Sequence, residues 1–217
     1  NLEEAEEHAQ KADQFGRRSG EAKQLLGILY AEKGMYEEAE SILAEARDIA
    51  PDSASTYNVL GRIRYMMLDF AEAERMFERA LQSDPKFFEA HLNMADLLMF
   101  LGEQHKALEH YRKAASLEPS TIASFKYALA AQKTGDPAAT RTQFMRTLTT
   151  NPVFQQASVE LAEMYASEKK LQEAIAEYNR LLAKVAGNPV FLYNISVLYA
   201  QKGWIENAQE ALMKIMK

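Results

Sequence analysis

Residues 54–87 read ASTYNVLGRIRYMMLDFAEAERMFERALQSDPKF, and this stretch decides the fold. Tyr57, Leu60, Gly61, Arg64 and Tyr65 fall at i, i+3, i+4, i+7 and i+8, the spacing of one helix face. Asp69 breaks that run, and Ala73, Phe77, Ala80 and Leu81 mark the face of a second helix. Asp84-Pro85 ends it, because the residue before a proline is pushed out of the α region. The stretch is therefore two helices and a short turn.

The same unit recurs outward in both directions. Small residues stand at Ala39, Ala73, Ala107, Thr140, Ala174 and Ala208, spaced 34, 34, 33, 34 and 34. Prolines keep the period at Pro51, Pro85, Pro119 and Pro152, and large residues keep it at Leu43, Phe77, Tyr111, Phe144, Tyr178 and Leu212. Independent columns sharing one period are the mark of a repeat array. Gly27 and Gly61 predict first helices that second helices can approach closely. Gly34, Gly102, Gly135 and Gly203 fall at the turn between helices, where left-handed backbone suits glycine.

Composition narrows the function. The chain has 217 residues, 47% hydrophobic and 26% charged, the balance of a core-forming protein. Its 31 acidic and 25 basic residues leave a net charge of −6, which argues against nucleic acid, whose phosphates reward a concentrated basic surface. There is no cysteine, which excludes a disulfide framework, a thiolate metal site and a Cys nucleophile. That leaves the compartment open between cytoplasm and periplasm. No apolar run approaches the roughly 18–20 residues needed to span a bilayer, so direct membrane insertion is not expected. Asn1-Leu2-Glu3-Glu4-Ala5-Glu6-Glu7 reads as amphipathic helix from the first residue, without an initiator Met, a basic n-region or an apolar h-region. The expectation is a piece of a longer chain.

These columns resemble the tetratricopeptide repeat (TPR) family over essentially the whole sequence. Tyr57, Leu60-Gly61, Ala73, Phe77, Ala80 and Pro85 carry its pattern, as do Leu26-Gly27, Tyr30, Gly34, Ala39, Ala46 and Pro51. The resemblance implies an all-α, right-handed superhelical solenoid of antiparallel helix pairs, about thirteen helices in one continuous domain. Residues 1–19 would be the second helix of a truncated repeat, followed by six repeats at 20–53, 54–87, 88–120, 121–154, 155–188 and 189–217. Two units depart from the pattern. Thr140 and Thr147 replace both alanines in one, and Gly187-Asn188-Pro189 replaces the proline column after another. Looser or differently angled packing is expected at those junctions.

Catalytic constellations are missing. His8, His91, His105 and His110 show no His-Glu-x-x-His spacing and read as ordinary helix residues. No Gly-rich phosphate loop occurs, and the carboxylate clusters read as solvated helix faces. The reading is a non-enzyme with no cofactor and no metal.

What remains is surface. In the resembling family, set positions of each first helix face a concave groove. Here they hold Asn58, Arg62, Tyr65 and Met66, then Asn93, Asp96, Met99 and Phe100, then Phe125, Lys126, Leu129 and Lys133. The fifth repeat turns acidic with Glu160 and Glu163, and the sixth presents Tyr193, Asn194 and Val197. Such a strip suits an extended or helical peptide, with asparagines bonding its backbone and soft Met contacts tolerating variation. Arg62 and Lys126 would favour an acid-tipped peptide. Met66, Met99 and Phe100 read equally as groove or as repeat–repeat packing. A clamp for carboxylates is matched only in part, by Asn93 and Lys126.

The expected function is a non-catalytic scaffold that binds a peptide segment of a protein partner or helps assemble a multiprotein complex. Self-association through Ala208, Leu212 and Ile215 is the second reading. A recognition arm of a larger enzyme is a third. A helper of outer-membrane or pilus assembly, on size and family analogy alone, is a fourth.

Overall fold

The computed structural model describes residues 20–216. Twelve helices run through them, with no strand among the described residues. The half repeat expected over 1–19 lies outside the described residues. The chain divides into two compact units that meet between Glu118 and Pro119.

In the first unit, helices α1 (Gly20–Glu32), α3 (Ala54–Met66) and α5 (Phe88–Phe100) alternate with α2 (Tyr36–Ile49), α4 (Phe70–Ser83) and α6 (Gln104–Leu117). In the second, α7 (Thr121–Lys133), α9 (Gln155–Ser167) and α11 (Pro189–Gln201) alternate with α8 (Pro137–Thr150), α10 (Leu171–Leu182) and α12 (Ile205–Ile215). Polar caps start several of them. Ser53, Asp69, Ser120, Asp136 and Asn188 each accept a bond from a backbone N–H in the first turn of the helix that follows.

The glycine columns have a measurable reason. A Cβ added at Gly61 would stand 2.6 Å from the Phe77 ring, and one at Gly27 would stand 2.5 Å from Leu43 Cγ. At these two contacts only a hydrogen fits between the paired helices. In the first unit Ala39, Leu43, Tyr57, Leu60, Ile63, Ala80 and Ala90 form the core. The second unit has two buried clusters, one around Phe144 and Leu161 and one around Tyr178, Phe191 and Ile195. Thr140 and Thr147 are fully buried in place of alanine, and their hydroxyls donate to the Asp136 and Gln143 carbonyls at 2.7 and 2.8 Å. The extra oxygen is thus satisfied inside its own helix.

Every repeat turns its chain the same way. A residue with positive φ follows each first helix: Gly34, Gly102, Gly135 and Gly203, but also Leu68 at 64° and Lys169 at 60°. Each turn is closed by the same 6→1 backbone bond, from Met35, Asp69, Glu103, Asp136, Lys170 and Trp204 N–H to a carbonyl five residues back. Leu68 and Lys169 adopt a glycine conformation without being glycine.

Candidate functional site

The first unit contains a cavity of about 640 Å³ lined mainly by three successive first helices, with one turn and single residues of α2 and α4. Ile28 and Glu32 on α1, Val59, Arg62, Tyr65 and Met66 on α3, and Asn93 and Asp96 on α5 line it, together with Tyr36 on α2 and Phe77 on α4. The period places these helices side by side, and the 3.6-residue helical repeat aims the same positions of each at one space.

Arg62 is exposed and loosely faces Glu32 at 3.8 Å, so its guanidinium remains available for a further partner. Met66 is 59% exposed and Phe100 61% exposed, large apolar side chains turned to solvent. Phe100 lies against Phe70 at 4.8 Å between ring centroids, and Tyr65 meets both rings edge-on at 5.7 and 6.0 Å. This aromatic trio flanks the cavity. Met99 is half-buried on the neighbouring turn of α5.

Asp96 accepts a bond from the Tyr111 hydroxyl at 2.6 Å, which anchors α5 to α6. Burial pushes the Tyr111 phenol up, and the Asp96 charge adds to it, so this hydroxyl stays a donor. Asn58 corrects an expectation. It is only 5% exposed, and its side-chain carbonyl accepts from Asn93 Nδ2 at 2.8 Å. Asn58 holds two repeats together and leaves Asn93 to line the cavity.

Lys126, half-buried, and Lys133, exposed, lie on α7 in the second unit. Phe125, read as groove, instead packs in that unit's core against Phe154 at 4.9 Å and Phe144 at 5.8 Å. The second unit has its own cavity, about 440 Å³, with Asp136, Glu163 and Glu168 among its walls. Burial and the neighbouring Glu160 raise the Glu163 carboxyl above its usual range. Ala208 is a third correction, because it is buried within the last repeat while Leu212 and Ile215 remain exposed. It occupies the small-residue column that faces the paired helix.

Sequence reasoning missed Ile28, Glu32 and Tyr36. The first two hold the positions in α1 that Arg62 and Met66 hold in α3, so the same column extended one repeat upstream finds them. It also missed that His91 and His110 face each other, since their rings come from different helices. Among the described residues, no three His, Asp or Glu side chains converge to hold a metal ion. None of the helices there is long and apolar enough to cross a membrane.

Stacked helix pairs with small-residue contact columns define a helical repeat protein. Tetratricopeptide repeat models match residues 19–86, 68–132, 125–189 and 190–217. The chain belongs to the tetratricopeptide repeat family.

Curated relatives match over parts of their length. Human Superkiller complex protein 3 is 32% identical over 43% of this chain and 6% of its own. Human Protein O-mannosyl-transferase TMTC2 is 36% identical over 44% of this chain and 12% of its own. The BBSome complex member BBS4 homolog of Drosophila melanogaster is 27% identical over 88% of this chain and 35% of its own. The chain thus spans about a third or less of these relatives. Among solved structures, pilF of Pseudomonas aeruginosa superposes with a TM-score of 0.72 at 20% identity, covering 88% of each chain. YrrB, described as a TPR protein with an unusual peptide-binding site, gives 0.69 at 19% identity, covering 80% of this chain and 90% of its own. These likenesses establish a shared fold.

Proposed function

We propose that the chain is a non-catalytic recognition scaffold whose first unit takes a peptide segment of a protein partner into the α1–α3–α5 cavity. The carrying observation is the cavity itself, whose size suits one or two bulky side chains. Ile28, Val59 and Met66 offer apolar contact, Asn93 offers an amide, and Arg62 offers a charge at the rim. An apolar residue followed by a carboxylate is the occupant this set favours. YrrB's described peptide site and the complex membership in two relatives' names support a binding role.

The test is selection of displayed random peptides on the purified chain, repeated on Arg62→Glu and Ile28→Glu. Enrichment of apolar-acidic peptides that is lost in both variants is the expected result. Enrichment that neither variant changes, or none above a scrambled control, overturns the reading.

Self-association is the second reading. Leu212, Met213 and Ile215 are exposed along α12, and Met216 beyond it is 80% exposed, an apolar surface of the kind that pairs with a second copy.

A further inference from the structure

His91 and His110 join the two helices of one repeat. His91, on α5, is 4% exposed, and its Nδ1 lies 3.0 Å from His110 Nδ1 on α6. On its other side, His91 Nε2 lies 3.0 Å from the Pro85 carbonyl oxygen. A carbonyl can only accept, so His91 carries its hydrogen on Nε2 and offers a lone pair at Nδ1. His110 Nδ1 must then be the donor. The chain His110 to His91 to Pro85 is complete with both rings neutral.

Protons fit this arrangement poorly. A proton on His110 Nε2 charges a half-buried ring close to Lys113. A second, on His91 Nδ1, sets two N–H groups head-on and breaks the bond. The charged groups around the pair come from every neighbouring element. They are Lys113 and Glu109 on α6, Asp84 after α4, and Glu74, Glu78 and Lys106 around a cavity of about 440 Å³ that His110 also lines. That cavity gives protons a route to the ring. One period away, the same two places hold Tyr57 with Met76 and Ser124 with Gln143, so the histidine pair is particular to this repeat.

We propose that the His91–His110 pair is an acid-released latch between α5 and α6, closed while both rings are neutral and loosened as they take up protons. The repeat it holds is the one that carries Asn93 and Asp96. The latch stands whether or not the cavity binds peptide, and its test needs no partner.

Burial holds both imidazoles below the usual range, His110 at about 4, with His91 and Lys113 adding to the effect. An unfolded imidazole titrates near 6.5. Between those values the unfolded state binds more protons, so stability rises with pH there. The latch's contribution to stability is whole above the unfolded value and fades as pH falls from 6.5 toward 4.

Histidine-selective nitrogen NMR on the full chain tests the geometry directly. At pH 7.5 it should show His91 with hydrogen on Nε2 and His110 with hydrogen on Nδ1. Both should still be neutral at pH 6, and either ring half-charged near 6.5 overturns the latch. Hydrogen exchange tests the release. His110→Gln borrows the residue found one period on, keeps a donor for His91 Nδ1 and does not titrate. Between pH 7.5 and 5.0, protection factors of α5 and α6 amides should fall about tenfold more in the wild type than in this variant. Equal falls overturn the proposal, and the wild-type NMR titration decides alone if the variant does not fold.

Discussion

Asn93 donates its side-chain amide to the Asn58 carbonyl at 2.8 Å, bridging the first helices of adjacent repeats. Asn58 is buried, so removing its donor strands an acceptor away from water. Asn93→Ala should cost about 1–3 kcal/mol in urea unfolding. Replacing both asparagines by leucine should cost less than the single change, since no polar atom is then left unpaired.

At Gly61 two opposite effects meet. Alanine in a helix interior gains about 1 kcal/mol over glycine. Here its Cβ would stand 2.6 Å from the buried Phe77 ring, and the clash wins. Gly61→Ala should destabilise the first unit by about 1–3 kcal/mol. Adding Phe77→Leu should recover part of that loss, read as a thermal melt of the pair against each single variant.

Leu68 predicts the reverse sign. Its φ of 64° is left-handed, and its side chain is 71% exposed. Little packing is lost on truncation, and strain of roughly 1 kcal/mol is relieved. Leu68→Gly should therefore raise stability by about 0.5–1 kcal/mol. Gly102→Leu, at the matching turn, should lower it, and calorimetry of both settles the comparison.

Arg62→Glu separates binding from folding. Its partner Glu32 is a loose, exposed ion pair at 3.8 Å, worth about 0–1 kcal/mol. The melting curve should barely move while affinity for selected acidic peptides falls at least tenfold. A collapse of stability would return Arg62 to a structural role.

For the terminal face, Leu212→Glu with Ile215→Glu should abolish any dimer seen by sedimentation at high concentration. Helicity should be kept, because both side chains are exposed. A monomer at all concentrations in the wild type removes the self-association reading.

The helix pairs were legible because a column such as Gly61 and Phe77 is written once per period, and repetition raises a weak local pattern above noise. The cavity was legible only in part. Arg62, Tyr65, Met66, Asn93 and Asp96 sit where the family columns place them, and Ile28 and Glu32 follow from reading one repeat further upstream. Asn58 was misread because position alone does not tell whether an amide meets solvent or another amide. Phe125 was misread for a related reason, since Phe144 reaches it from α8 and Phe154 from the turn before α9. The histidine pair was illegible, because 19 residues and a turn separate two rings that only packing brings together.

The turn at Leu68 has one more consequence. A left-handed φ is the ordinary preference of a mirror-image amino acid, so position 68 distinguishes handedness where Gly34, Gly102, Gly135 and Gly203, being achiral, do not. A chain assembled by ligation with D-alanine at 68 should be more stable than one with L-alanine there, although the two have identical composition. The helices on either side dictate the turn, and the residue within it complies at the cost of its own stereochemistry.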